Sequence, residues 1–282
     1  MKRILFPTDF SETANNAFVY ALELAKYQKA EFIVLHVYDS QNLVYEGCPP
    51  SIAEIYETIE WGKFENFKDQ IPHLRKIAEE HGLEDVKMSH VLRHGNLVKI
   101  IKEIADAEKI DLIVMGTHGV SGLKEAFLGS NTGYVITNVP VMLLSVPLEA
   151  KFKKMRHFCF TTVFKDEDKK ALWEVLDMAK RFHADVKCLT VKTSHFKETD
   201  EGMRKWKSDF DGEPVTFFII ENNDVKKTIR DFLVHQEIDV LSMLTHKRNL
   251  IEELFTHSFT QEFSYHCKTP ILVLHEKSKL QM

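Results

Sequence analysis

Cysteine is scarce in this sequence and poorly placed for chemistry: Cys48, Cys159, Cys188 and Cys267 lie far apart, with no Cys-x-x-Cys pair. That spacing argues against a disulfide framework and against a cysteine zinc site. Long apolar runs are missing as well, none approaching the roughly 18 residues of a membrane span. The opening Met1-Lys2-Arg3 leads into a short apolar stretch, Ile4-Leu5-Phe6, before Pro7-Thr8-Asp9, too short for a secretion signal. Nor is there a surplus of positive charge. The 37 Lys and Arg stand against 42 Asp and Glu, a net charge of −5, where a general nucleic-acid binder shows a basic excess. Two phosphate motifs are absent: the G-x-x-x-x-G-K-[ST] loop with its lysine, and a G-x-G-x-x-G fingerprint after the first strand. What is present is 282 residues, 44% of them apolar, enough for one large core or two ordinary ones. The expectation is a soluble, cytoplasmic protein of two domains, with neither nucleic acid nor membrane as a partner.

The chain also repeats itself. Asp111-Leu-Ile-Val-Met115 has a counterpart 128 residues on in Asp239-Val-Leu-Ser-Met243, and Thr117-His118 has one in Thr245-His246. Val139-Pro140-Val141-Met-Leu-Leu144 resembles Thr269-Pro270-Ile271-Leu-Val-Leu274. Nearer the two starts, Ala30-Glu31-Phe32 through Val37 matches Ala184-Asp185-Val186 through Val191 at an offset of 154. The second copy is therefore 26 residues shorter, and the missing piece falls in the excursion from Tyr38 to about Glu80. Two copies of one unit, residues 1–150 and 151–282, are predicted.

Within the first copy, strands and helices alternate. Arg3–Pro7 is a short apolar run, and Ser11 is placed to cap a helix whose Ala14, Ala17, Phe18, Ala21, Leu22 and Ala25 recur at helical spacing. Phe32–Val37, Val86–Leu92, Leu112–Met115 and Val141–Val146 read as strands, with helices over 51–80, 96–108 and from Ser130. Pro72 is expected to kink or break the first of these. Such alternation implies an α/β fold, here two tandem copies of a doubly wound, parallel, five-stranded sheet. In these sheets ligands bind at the carboxyl ends of the strands, which directs attention to the loops at Asp9, Val37 and Gly116.

Glycine is distributed unevenly, nine of eleven lying in residues 1–150. Gly116, Gly119 and Gly129 fall between a buried strand and a helix opening at Ser130-Asn131-Thr132. A strand, a glycine loop and a polar helix start together describe a phosphate cradle, although such loops also serve as plain turns. The spacing Gly116-x2-Gly119-x9-Gly129-Ser130 matches the G-2x-G-9x-G-[ST] signature of ATP-binding universal stress proteins. The opening Phe6-Pro7-Thr8-Asp9-Phe10-Ser11, the Leu35-His36-Val37 strand end and Val139-Pro140-Val141 also resemble that family, as a tandem member with an adenine-nucleotide α-hydrolase-like sheet.

The resemblance implies roles. Pro7, Thr8 and Asp9 would face the nucleoside, with Asp9 bonding the ribose hydroxyls and the Val37 backbone bonding adenine. Met115 would pack near the base, and Gly116, Gly119 and Gly129 would let the loop wrap the phosphates. Ser130, Asn131 and Thr132 would offer donors to the β- and γ-phosphates, with Mg or Mn as counter-ion. In the second copy Asp9 is matched by Val163, Gly116 by Leu244, Gly119 by Lys247 and Gly129 by His257, so that copy reads as degenerate. In the family the last strands pair across a dimer; here the two copies are expected to pair within the chain as a pseudo-dimer, with a homodimer and a protein partner left open.

Other chemistry has less support. His90 and His94 are read as straddling a strand end and a turn, and no histidine has a ligand partner at zinc spacing. His36 and His118 read as structural, hydrogen-bonded residues. No arginine lies in the glycine loop to stabilise a γ-phosphate transition state, so weak, partner-dependent or absent hydrolysis is expected. The adenylating enzymes of the wider group call for a glycine-containing S-G-G-x-[DS]-S loop where this chain has Thr8-Asp9-Phe10-Ser11. An interaction scaffold that binds no nucleotide remains the alternative.

Overall fold

The computed structural model describes residues 2–38, 51–117, 130–194, 200–245 and 268–275, without the side chains of 51–60, 167 and 200. Among the described residues ten strands alternate with helices, except that β6 follows β5 directly. The N-terminal half has β1 (Arg3–Pro7), α1 (Glu12–Gln28), β2 (Glu31–Tyr38), α2 (Ser51–Glu80), β3 (Met88–His94), α3 (Leu97–Glu108), β4 (Leu112–Gly116), α4 (Ser130–Asn138) and β5 (Met142–Val146). The C-terminal half has β6 (His157–Thr161), a 3-10 turn (Asp166–Asp168), α5 (Lys169–Arg181), β7 (Asp185–Lys192), α6 (Asp200–Asp209), β8 (Val215–Glu221), α7 (Val225–His235), β9 (Val240–Leu244) and β10 (Ile271–Leu274).

The strands lie in the order β3-β2-β1-β4-β5-β10-β9-β6-β7-β8. Pairing is parallel within each half and antiparallel only where β5 meets β10, with Leu144 opposite Leu272. Two last strands that would each expose a row of unpaired backbone groups thus cover one another. Side chains alternate across the pleat, so Ile4 and Phe6 face α1, α2, α5 and α6, while Leu5 faces α3, α4 and α7. Each of these cores runs without interruption across both halves.

Local signals explain the helix starts. Ser11 Oγ accepts the Ala14 N–H at 3.2 Å and Asn96 Oδ1 accepts the Lys99 N–H at 3.1 Å, each satisfying an orphan donor of a first turn. Of the two effects expected of Pro72, the break does not occur: the helix runs from Ser51 to Glu80 with exposed Pro72 inside it. Two expectations need correction. The third strand begins at Met88 rather than Val86, because Val86 N–H closes a turn onto Leu83 O at 3.1 Å. The last strands align two residues differently from the proline match: Thr117 N–H reaches Val146 O at 3.0 Å and Thr245 N–H reaches Leu274 O at 2.9 Å, which makes Val146 the counterpart of Leu274.

The shortening of the second copy is visible as a 30-residue α2 against a 10-residue α6. Each packs on its own half of the single ten-stranded sheet. Phe67, Leu74 and Ala78 of α2 are buried, as is Trp206 of α6, whereas Trp61 and Phe64 of α2 are exposed.

Candidate functional site

Strand order reverses between β1, which leads out to β2 and β3, and β4, which leads to β5. The crevice at the carboxyl ends of β1 and β4 is therefore where such a sheet receives a ligand. Five of the residues singled out from the sequence converge there: Pro7 ending β1, Thr8 and Asp9 after it, and Met115 and Gly116 ending β4. Val37 lies near the end of neighbouring β2.

The turn after β1 is held from all sides. Thr8 N–H donates to Leu35 O at 2.8 Å, and His36 Nδ1 lies 2.7 Å from Thr8 O. Because a carbonyl only accepts, His36 carries its proton on Nδ1. Phe10 N–H donates to Thr8 Oγ1 at 3.0 Å and Ser11 N–H to Asp9 Oδ1 at 3.1 Å, the short side-chain-to-backbone bonds that Thr and Asp make in turns. Asn15 closes the set, its N–H donating to Ser11 O at 2.8 Å and its amide nitrogen lying 3.4 Å from Phe10 O. Phe10 itself has φ 60, a conformation rare for a bulky residue.

The position of Val37 follows from register. Pairing of β1 with β2 ends at Pro7 opposite Leu35, and the Leu35 carbonyl points toward β1 to take Thr8 N–H. Backbone groups of a parallel strand alternate sides, so the N–H and C=O of Val37 point the same way, one step beyond the end of β1. An edge with one donor and one acceptor is what an adenine ring can pair with.

Gly116 has a packing reason for being glycine. A Cβ there would stand 2.9 Å from Thr13 Cγ2 and 3.0 Å from the Thr13 backbone, in the first turn of α1. Thr132 is buried, and its hydroxyl donates to Gly116 O at 2.8 Å. That bond fastens the first turn of α4 to the end of β4, while Ser130 and Asn131 stay exposed beside it. Gly119 and Gly129 lie outside the described residues, as do His118, Lys247 and His257. The family resemblance gave Thr132 as a donor to the phosphates, but its hydroxyl hydrogen is used inside the protein. Neither that bond nor the Gly116–Thr13 contact has a signature in local sequence.

The second half repeats the turn without the acid. Thr162 N–H donates to Leu189 O at 3.1 Å, Phe164 N–H to Thr162 Oγ1 at 2.9 Å, and Phe164 has φ 60. Val163 stands where Asp9 would, and the buried Leu244 where Gly116 would.

Other reactive groups lie elsewhere. His90 and His94 are both within β3, a correction to the reading that placed them across a turn; four strand residues separate them by about 13 Å, too far to share an ion. Among the described residues no three His, Cys, Asp or Glu side chains gather as a metal cluster. Burial pushes the Cys159 and Cys188 thiols up, away from a reactive thiolate. A cavity of about 300 Å³ lies between the last turns of α2 and the start of β3, lined by Arg75, Glu79, Lys87 and His90 among others. It opens at the amino end of β3, opposite the crevice. Burial, aided by Arg75, lowers the His90 imidazole there. No described helix is long and apolar enough to cross a membrane.

Comparison with known proteins points in one direction. A universal stress protein of Methanocaldococcus jannaschii is 33% identical over 155 residues, 51% of this chain and 94% of the relative. Another from the same organism is 34% identical over 151 residues, 52% of this chain and 83% of the relative. Among solved structures, a universal stress protein from Archaeoglobus fulgidus is similar with a TM-score of 0.68 at 18% identity, covering 97% of this chain and 96% of that one. A functionally unknown protein from Pseudomonas aeruginosa follows at 0.62 and 14%, covering 98% and 93%. At such identities these two structures speak for the fold alone, and they share it over both halves. The profile of the Universal stress protein family matches residues 1–147, and the chain belongs to that family.

Proposed function

We propose that the N-terminal half binds ATP or a related adenine nucleotide, with Mg or Mn as counter-ion, and that the protein acts in the cytoplasm as a nucleotide-dependent stress-response switch. The observation that carries this reading is the Val37 backbone left beyond the end of β1, beside a turn that presents Asp9. Adenine would pair with Val37, the ribose hydroxyls would reach Asp9, and Met115 would lie near the base. The phosphates would lie toward Gly116, Gly119, Gly129 and the first turn of α4, whose N–H groups and dipole favour negative charge. No arginine lies in the glycine loop itself to stabilise a transferring phosphoryl group, so hydrolysis would be weak or depend on a partner. The C-terminal half would serve as a degenerate, paired copy.

The test is equilibrium binding of MgATP to nucleotide-stripped protein, reported as sites per chain. One site of micromolar affinity, about −8 kcal/mol, is expected. Gly129→Lys should abolish binding and leave the melting temperature unchanged. Absence of binding in the parent protein would move it to the scaffold class, and two sites would refute the degeneracy of the second half.

A further inference from the structure

The Thr8 carbonyl and its counterpart in the second half are both held, but by unrelated side chains. In the first half His36 Nδ1–H donates to Thr8 O at 2.7 Å; in the second, Thr190 Oγ1 donates to Thr162 O at 2.8 Å. The two residues occupy the same place 154 apart, on β2 and β7, and each follows the residue whose carbonyl takes the turn's first N–H. The bonds around them match as well, from Phe10 N–H on Thr8 Oγ1 to Phe164 N–H on Thr162 Oγ1, and both phenylalanines have φ 60. A fold that meets the same requirement twice with different chemistry is showing that the requirement is positional.

Histidine adds a grip that threonine lacks. The His36 ring lies 4.9 Å from the Phe10 ring and stacks at 11° on Phe67 of α2, 6.0 Å away. Phe10 and Phe67 are themselves 6.2 Å apart. One imidazole therefore joins the turn, β2 and α2.

We propose that His36 is the positioning residue for Asp9: by donating to the Thr8 carbonyl it sets the turn in its ligand-ready form before any ligand arrives, and its ring contacts only orient that donor. Preorganisation of this kind improves affinity by removing the cost of ordering the loop on binding. The proposal rests on the nucleotide reading for its effect on affinity, but its structural content stands apart from it.

Three variants separate the donor from the ring. His36→Thr restores the donor in the form the second half uses, His36→Phe keeps an aromatic ring without a donor, and His36→Ala removes both. Amide hydrogen exchange at Phe10 and Ser11 and MgATP affinity by calorimetry are measured on each full-length protein. Exchange at both amides is expected to speed up about tenfold or more in His36→Phe and His36→Ala, and to stay within about threefold of the parent in His36→Thr. MgATP affinity should follow the same order. Unchanged exchange in His36→Phe, or a His36→Thr variant as perturbed as His36→Phe, would overturn the proposal. If the parent binds no MgATP, the nucleotide reading fails while the exchange pattern still decides the role of His36.

Discussion

At the end of β1, Thr8 N–H reaches Leu35 O at 2.8 Å and Phe10 takes φ 60; at the end of β6, Thr162 N–H reaches Leu189 O at 3.1 Å and Phe164 takes φ 60. The two halves differ instead in what the turn presents, Asp9 against Val163, and in what faces it, Gly116 against Leu244. The strained turn is thus a property of the fold, kept where Asp9 and Gly116 are replaced by Val163 and Leu244. The helix starts differ in step with this. In the first half Glu12, Thr13 and Ala14 form the first α-turn against which Gly116 packs, whereas the equivalent Asp166–Asp168 wind as a 3-10 turn before α5. A glycine is required where the helix crowds the strand end, and a leucine is accommodated where the helix begins differently.

The comparison can be broken most severely at the covering helices. Trp206 is fully buried in the short α6, so Trp206→Ala should cost about 3–5 kcal/mol in urea unfolding. Its indole nitrogen has no described partner, so Trp206→Phe should cost less than about 1.5 kcal/mol, since it removes an unsatisfied donor along with the lost area. A cost for Trp206→Phe equal to that of the alanine would show that the indole itself is needed there and that a smaller ring cannot stand in for it.

Gly116→Leu imports the second half's residue into the first. The collision with the Thr13 backbone should destabilise by about 1–3 kcal/mol, whether or not nucleotide is present. A neutral result would show that α1 can yield as the 3-10 turn does. Asp9→Val makes the other exchange. It should raise the Kd for MgATP ten- to hundredfold, about 1.5–3 kcal/mol for hydrogen bonds to a charged group, while unfolding changes little. Equal affinity would remove Asp9 from the site.

The halves are also tied unequally through α1. Asn16 Nδ2 donates to Pro147 O at 2.8 Å and to Ala150 O at 2.7 Å, the stretch that leads from one half into the other. Asn16→Ala should cost about 1–2 kcal/mol, read as a lower thermal midpoint. The smallest expected effect lies at the 3-10 turn. Hydrogen bonds from Lys169 and then Lys205 lower the Asp166 carboxyl to about 2. The folded pKa lies below the unfolded one, so this contribution is present above about pH 4 and is lost as pH falls through about 2. Asp166 is fully exposed, and salt should weaken the effect. Asp166→Asn should flatten that acid limb, and an unaltered pH profile would show the lysines to be idle.

Much of this molecule was legible in its sequence because the signals are local. Buried strands announce themselves as short apolar runs, Ser11 and Asn96 cap their helices within three residues, and duplication left matching segments at offsets of 154 and 128 residues. A boundary failed where a hydrogen bond outside the ladder intervened, at Val86, whose N–H closes a turn onto Leu83. The proline match near the last strands misaligned them by two because a shared loop residue does not determine ladder register.

Composition and motif therefore set the α/β alternation, the twofold repeat and the identity of the residues at the crevice. The antiparallel β5–β10 seam, the direction in which Val37 offers its backbone, the Thr13–Gly116 contact and the shared duty of His36 and Thr190 came from packing. Each joins residues distant along the chain or depends on where a neighbouring strand stops. Such relations follow from which edges and faces are left to be satisfied once the local elements have formed, and local propensity carries no record of them.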